Sequence, residues 1–473
     1  MEKEKISGNA WKTLCTLSCL GLTAMCTETM VLPALPDFIV DFSINYSTAS
    51  WVLASYMIAG AVMTPIGGKL ADIYGKKKVL LIILCVYTAG LFSAGFANSI
   101  QFMIASRVAQ GMGIAMFPIA FGIIREVFPP SKIAVGQSVF SSTFAGGAVV
   151  GLIVGAGIIQ TYSWHATFFA IFPVAVAVGI VILRIIKEPA ASMQEERSRS
   201  IDVRGAATLA ATIVSFLVGL SFLENNNGSM LLPALFFAAA GAALFLFVTA
   251  ERRIATPLVD LKLLTSRMLL PSNIILMLVG LCTFMVYQTI PILVQSPVPL
   301  GFGGDESATA AVQLPFMIIW LVGMSTSGFL VNRIGNRRMT AAGTIICTIG
   351  FFAIFAFHGD SFVTTVTLAI ISVGLAFSFI GGFNIVLMSS PIQMTGVSLG
   401  MTVLLNLIGQ SVGPTIAGMY QQMHRSTITG ISGTFPSADA YNLIFLTASI
   451  MSMASVALAL MLNKMKAENA INA

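Results

Sequence analysis

Along the chain, apolar stretches of helix-spanning length alternate with short polar connections from one end to the other. They lie near residues 12–34, 50–69, 79–97, 103–125, 137–160, 166–187, 205–223, 230–250, 270–294, 309–331, 340–357, 362–387, 397–421 and 441–463, fourteen in all. A bilayer's hydrocarbon core, about 30 Å thick, is crossed by roughly 20 apolar residues in a helix. Inside lipid every backbone N–H and C=O needs an internal partner, so these stretches are expected to be helices. The pattern predicts an all-α membrane protein with 14 transmembrane helices.

The polar positions say how the helices are oriented. Lys3, Lys5 and Lys12 flank the first stretch, and Lys69, Lys76, Lys77 and Lys78 fill the second connection. Arg125 and Lys132 follow the fourth, and Arg184, Lys187, Arg197, Arg199 and Arg204 the sixth. Arg252, Arg253, Lys262 and Arg267 follow the eighth, Arg333, Arg337 and Arg338 the tenth, and Lys464 and Lys466 the last. These are 23 of the 25 basic residues, all at alternate connections or the termini. Lysine and arginine collect on the cytoplasmic side of membrane proteins, so both termini are expected there. Of the remaining two, Arg425 falls on the other side and Arg107 falls inside the fourth span. Among the acids, only Glu28 sits at membrane depth, in "LSCLGLTAMCTETMVLPALP" (17–36).

Composition agrees with this picture. Of the 473 residues, 56% are hydrophobic and 9% charged, where a soluble domain has about 25% charged residues. The net charge of +6 then reflects basic cytoplasmic loops and does not point to nucleic acid. Cys15, Cys19, Cys26, Cys85, Cys282 and Cys347 all fall in apolar runs, so no disulfide framework is expected. Cys15 and Cys19, one turn apart, are read as small buried hydrophobes rather than a metal pair. His165, His358 and His424 form no cluster, and no catalytic triad, zinc or phosphate-loop spacing is present. No enzyme, cofactor or metal site is expected. The first apolar run is too long for a cleavable signal peptide.

Two connections repeat. "GGKLADIYGKKKVL" (67–80) joins spans 2 and 3, and "SGFLVNRIGNRRMT" (327–340) joins spans 10 and 11. Both read Gly-x-Leu, a polar residue, then Gly and a basic cluster. This predicts a six-helix bundle at 1–187, a cytoplasmic linker at 188–204, two inserted helices at 205–250, a second linker at 251–269 and a second six-helix bundle at 270–473. Repeated halves with a site at their interface are common among secondary transporters.

The same residues resemble the major facilitator superfamily, specifically its fourteen-span drug:proton antiporter group. "WVLASYMIAGAVMTPIGGKLADIYGKKKVL" (51–80) is similar to the group's second span running into the cytoplasmic signature. "ASRVAQGMGIA" (105–115) matches the fourth-span motif, and "SWHATFFAIFP" (163–173) resembles the entry to span 6. "DVRG" (202–205), "PLVDLKLL" (257–264) and "VYQTIPILVQ…AAVQLP" (286–315) are similar to later landmarks. Some positions depart from the group. Leu152 stands in "GAVVGLIVGAG" (147–157) where Gly-Pro is usual, and Gly413-Pro414 appears instead in span 13. In span 1 the usual acid precedes its threonine by two positions, whereas here Thr27-Glu28-Thr29 shifts it by one, about 100° around the helix. His165-Ala166 replaces the usual Arg-Trp.

The resemblance implies two six-helix bundles plus two additional helices, working as a monomer. It also implies proton-driven export of hydrophobic or monocationic amphipathic compounds, powered by the proton gradient with no cofactor. An intramembrane ionisable residue is a functional candidate by default. Glu28 is expected to couple protons or bind a cationic substrate, or else to be a hydrogen-bonded structural acid. Arg107, which cannot deprotonate, carries the coupling role by the motif match, or else tethers helices through Gln110 or Glu28. Candidates to line a central cavity are Tyr56, Met116 and Phe117 in the first half. In the second half they are Phe284, Tyr287, Gln288, Phe383, Asn384, Asn406 and Gln410. The resemblance places a cytoplasmic gate at Asp72, with Gly68 and Gly75 permitting close approach and a turn. Lys76, Lys77 and Lys78 would meet the anionic surface or simply set topology. The second-half equivalents are Asn332, Gly335 and Arg337. Gly147, Gly151 and Gly155 form a small-residue ridge for close packing, and Gly413-Pro414 is expected to bend span 13. Two alternatives stay open. One is a proton-coupled transporter of a defined metabolite or organic anion bound at Arg107. The other is a non-transporting sensor on the same fold.

Overall fold

The computed structural model describes residues 6–129, 132–186, 203–224, 230–254, 261–390 and 395–471. Within them, fourteen helices are long and apolar enough to cross a membrane. Spans 1 to 7 are Gly8–Asp41, Tyr46–Ala71, Lys76–Ala94, Ile100–Val127, Val139–Thr161, Trp164–Ile185 and Arg204–Leu223. Spans 8 to 14 are Leu231–Glu251, Leu269–Gln295, Glu306–Ser327, Asn336–Phe357, Ser361–Ser389, Ser398–Met423 and Ala438–Leu462. The linker expected at 188–204 falls almost wholly outside the described residues, as do the side chains of Asp72 and Asn332.

Two spans differ from the uninterrupted helices that the apolar pattern suggests. Span 1 runs past residue 34. Its α-helix ends at Met30, Leu32–Ala34 form a 3₁₀ turn, and a second short helix, Leu35–Asp41, starts with a proline in its first turn. Proline lacks an N–H and suits a helix start better than an interior, so Pro33 and Pro36 set this break. Span 4 passes from Ile100–Gly111 through a 3₁₀ turn, Met112–Ala115, into Met116–Val127. A third difference is a β-hairpin between spans 13 and 14. Its strands, Arg425–Ile428 and Ile431–Pro436, pair antiparallel, and Gly430 takes the positive φ of 87° that the turn requires.

Burial orders the helices. The apolar windows of spans 1 and 9 are 72% buried, against 28% for spans 6 and 7 and 22% for span 8. Spans 1 and 9 therefore run through the middle, and span 8 lies at the edge. Spans 2 and 13 pack together, as do spans 5 and 10. Spans 7 and 8 pair with each other, and span 7 rests on spans 2 and 13, where Trp51 Nε1 donates to Ser221 Oγ (3.0 Å).

The repeated connections fold alike. Gly75 and Gly335 both take positive φ, 96° and 81°, between consecutive helices. Two residues on, Lys77 Nζ donates to the carbonyl of Leu183 in span 6 (2.9 Å), and Arg337 Nη1 donates to that of Leu462 in span 14 (3.3 Å). Lys77 thereby sits at the carbonyl end of its neighbouring helix, where a cation is favoured.

The polar bonds between spans 1–6 and spans 9–14 gather at the end of the molecule opposite these basic connections. Gln295 Nε2 donates to Pro33 O (2.8 Å), and Gln160 Nε2 donates to Asp305 Oδ2 (2.8 Å). The backbone N–H of Tyr46 donates to Gln422 Oε1 (3.4 Å), and its hydroxyl to Thr434 O of the hairpin (3.2 Å). At the basic end, the bonds between described residues stay within one set of helices: Lys76 with Glu126, Lys77 with Leu183 and Arg337 with Leu462. Glycines on spans 2 and 13 mark the same asymmetry. A Cβ on Gly418 would meet Ser50 and the backbone of Tyr46 and Ser47, all at about 3 Å. Gly68 and Gly400, toward the basic ends of the same two helices, face open space. Among the described residues, the bonds that join the two sets of helices thus lie at the far end.

Candidate functional site

The rotation of span 1 is set by its threonines. Thr27 Oγ1 bonds back to Thr23 O (2.9 Å) and shares a 2.6 Å hydrogen bond with the Tyr87 hydroxyl of span 3. Thr29 Oγ1 donates across to Ala148 O of span 5 (2.9 Å). Successive helical residues point about 100° apart. With Thr27 turned to span 3 and Thr29 to span 5, Glu28 is left facing the centre. Close approach makes this clamp possible. A Cβ on Gly147, Gly151 or Gly155 would collide with the backbone of span 1 at Leu22, Cys26 or Met30.

Glu28 is 9% exposed and makes no hydrogen bond or ion pair among the described residues. Its carboxylate is within electrostatic reach of Arg107, Tyr56 and Tyr287.

Arg107 on span 4 is fully enclosed, with no exposed surface. Its Nε donates to Val52 O of span 2 (3.0 Å) and Nη1 to Gln110 Oε1 (2.9 Å). Gln110 in turn donates to Gly90 O of span 3 (2.9 Å), and the guanidinium lies 4.4 Å from the centre of the Tyr56 ring. One donor group, Nη2, has no partner. A buried guanidinium needs its donors matched and its charge offset. Backbone carbonyls, Gln110 and the Tyr56 ring meet most of that need, and the nearby carboxylate supplies opposite charge. Gly111 allows spans 2 and 4 to touch, since a Cβ there would strike the Tyr56 backbone.

In the second half Tyr287 is within electrostatic reach of Glu28, and the polar candidates there are uncharged. Asn406 donates to Leu276 O (2.9 Å), and Gln410 to Asn406 Oδ1 (2.8 Å). Gln313 donates to Tyr287 O (2.9 Å). The Tyr287 hydroxyl, Gln288 Oε1, Gln313 Oε1 and Thr283 Oγ1 are buried without partners. Tyr287 lies between Phe284 and Phe316, at 6.2 and 5.6 Å.

The other candidates have their own surroundings. Met116 is fully buried beside Gly113 and next to Tyr87. Phe117 joins an aromatic cluster with Phe140 and Phe144 of span 5. Phe383 pairs with Phe379, and Asn384 is half-buried. Gly413 packs on span 9 at the Leu281 carbonyl, and Pro414 lies within the continuous helix Thr395–Met423. Cys15 and Cys19 are exposed on the protein surface, not buried as read from their apolar run, and Cys85 is exposed as well. Their runs are apolar on the lipid side as well as the inner side, so hydropathy alone does not assign a face. Among the described residues no group of His, Cys, Asp and Glu is placed to hold a metal.

Sequence reasoning missed Tyr87, Thr27, Thr283 and Gln313. A signal existed for Tyr87: a lone tyrosine in an apolar span must find a partner for its hydroxyl.

The Major Facilitator Superfamily family description matches residues 17–414 of this chain. Multidrug resistance protein 3 of Bacillus subtilis is 27% identical over 436 residues, covering 88% of this chain and 81% of that protein. The tetracenomycin C resistance and export protein of Streptomyces glaucescens is 25% identical, covering 88% and 76%. The fold is similar to the human organic anion transporter MFSD10, with a TM-score of 0.65 at 14% identity over 95% of this chain and 99% of that one. The chain belongs to the Major Facilitator Superfamily and is a multi-pass membrane transporter with fourteen spans.

Proposed function

We propose that this transporter exports hydrophobic or monocationic amphipathic compounds in exchange for protons. Glu28 carries the proton and Arg107 is its fixed counter-charge. The observation that carries this reading is Glu28 itself, a carboxylate turned to the centre with no bonded partner and one buried cation in electrostatic reach. An acid in such a site is pulled two ways, since burial favours the neutral form and the cation favours the charged one. Loading and release of a proton can then follow which side the cleft faces. Relatives named for multidrug resistance and for tetracenomycin C export support an exporter.

The basic connections and both termini are assigned to the cytoplasm, on the distribution of 23 of 25 basic residues. The end where the two sets are bonded is then the outer one, and the inner end is the one at which this reading has substrate enter from the cell. Rocking of the two helix sets about the centre would expose Glu28 outside. There the higher proton concentration reloads the acid and releases a cationic substrate. One buried acid suits a neutral compound or a monocation, because a dication would call for a second carboxylate.

The test is a proteoliposome assay with an imposed pH gradient and a panel of neutral, cationic and anionic compounds. Glu28→Gln is expected to abolish pH-driven uptake while leaving the protein folded. Full activity in that variant overturns the assignment. The unpartnered Nη2 of Arg107 favours a second reading, transport of an organic anion or defined metabolite. Anion transport that disappears in Arg107→Lys while proton binding persists would select it.

A further inference from the structure

Glu28 belongs to span 1 and Tyr287 to span 9, the two most enclosed helices, which come from opposite sets. Their levels can be compared through the hydrogen bond between Gln295 and Pro33. Both helices run from the basic end toward the far end. At 1.5 Å per residue, Tyr287 lies about 12 Å below Gln295 and Glu28 about 8 Å below Pro33. The two side chains are thus within about 4 Å of the same depth, a difference that a tyrosine side chain can span. Electrostatic coupling between them agrees with that placement.

Both groups lack a partner. The Tyr287 hydroxyl is buried and makes no hydrogen bond. Its ring is held by Phe284 and Phe316, and its backbone carbonyl by Gln313. A buried hydroxyl without a partner carries a desolvation cost. It persists where another state of the molecule supplies the partner.

We propose that the Tyr287 hydroxyl is the second-half hydrogen-bond donor to ionised Glu28, so that losing the Glu28 proton ties span 1 to span 9 across the cleft. An ionised carboxylate accepts such a bond strongly, and the protonated acid accepts it weakly. The charge on one residue thereby biases the contact between the two helix sets. Tyr287 is a positioning residue, acting through Glu28. The ionisable groups in electrostatic reach of Glu28 are Arg107 of span 4, Tyr56 of span 2 and Tyr287 of span 9. Tyr87 of span 3 is engaged with Thr27. Span 5, packed on span 1, has no titratable side chain in Val139–Thr161, and span 6, also packed on it, carries His165 in its first turn and Arg184 in its last. Tyr287 is the member of this set from the second half.

This inference rests on the proton-carrying role of Glu28. Its test is Tyr287→Phe, which removes the hydroxyl and keeps the ring between Phe284 and Phe316. The pH profile of transport in proteoliposomes is expected to move upward by about one unit, because losing one charge-assisted bond costs the ionised form about a tenfold factor. Span 1 to span 9 distances, measured by paired spin labels in Tyr287→Phe at a pH where wild-type Glu28 is ionised, are expected to broaden. In a Glu28→Gln background, Tyr287→Phe should change those distances no further. A Tyr287→Phe protein with a wild-type pH profile and distances, in a transporter that Glu28→Gln inactivates, overturns the Tyr287 role alone. Full transport by Glu28→Gln overturns the parent reading. Should Tyr287→Phe fold poorly, Tyr287→Leu, whose side chain has no donor, takes its place with the same spin-label pairs. It too lacks the hydroxyl, and an unchanged pH dependence of the distances in it overturns the proposal.

Discussion

Arg107 makes its bonds entirely inside the first six spans. Its Nε and Nη1 reach Val52 O and Gln110 Oε1, on two sides of one flat group, and its face covers Tyr56. A lysine carries the same charge as a point and cannot reproduce this fork or the stacked plane. Arg107→Lys is therefore expected to lower stability by about 1.5–3 kcal/mol, the range for a lost hydrogen bond to a charged group. It also leaves Gln110 Oε1 to find another donor. Thermal unfolding in detergent measures the loss, and Gln110→Ala should show a smaller one. An unchanged melting temperature in Arg107→Lys would mean that the fork contributes nothing. Thr27 shows how a shift of one position is absorbed. It occupies the place where the resembling group usually has its acid, and it bonds Tyr87 instead, so the carboxylate at 28 turns to the centre.

At the scale of elements, the helices were legible because hydropathy and length decide them, and the alternation of basic connections checks the count. The two charges at membrane depth were legible for the same reason, since a charge among apolar residues stands out. Their surroundings were not. Tyr87 meets Glu28's helix, Val52 meets Arg107 and Gly90 meets Gln110 through packing between spans, and packing leaves no period in a single span. The interruptions at Leu32–Ala34 and Met112–Ala115 and the hairpin after span 13 also escaped hydropathy, because they arise from prolines, close glycine contacts and paired short strands. The glycines of span 5 are the intermediate case. Their spacing of four predicts a ridge, and the structure shows what it meets. Gly151 and Gly157 make a matched pair for testing this. A methyl at 151 would strike Cys26 O and Thr29 Oγ1, whereas one at 157 meets nothing within 4 Å. Gly151→Ala should destabilise by about 1–3 kcal/mol through overpacking. Gly157→Ala should be neutral or slightly stabilising, since alanine favours helix over glycine by up to about 1 kcal/mol. Equal melting temperatures for the two variants would mean that spans 1 and 5 separate without cost.

For the whole molecule, the balance between the two ends is set by a small number of bonds on one side. The far-end seal consists of Gln295 to Pro33 O, Gln160 to Asp305 and Ser307, and Tyr46 to Gln422 and Thr434, together with the backbone contact at Gly418. These bonds join neutral groups in all but one case, and a neutral bond contributes about 0.5–1.5 kcal/mol net. Because the seal is a sum of small terms, removing two of them should tilt the equilibrium without unfolding either set of helices. Gln295→Ala with Gln422→Ala removes two bonds between neutral groups, one to Pro33 O and one from the Tyr46 N–H, which share no partner, so their effects are expected to add. The combined change is about 1–3 kcal/mol, a shift of roughly fivefold to 150-fold toward the state open at the far end. Spin labels across spans 2 and 13 near Ser50 and Gly418 would report longer distances, and labels near Gly68 and Gly400 shorter ones. The opposite movements at the two ends are the decisive feature. Lengthening at the far end without shortening at the basic end would describe fraying of the seal, and the two sets would then not rock as rigid bodies about Glu28.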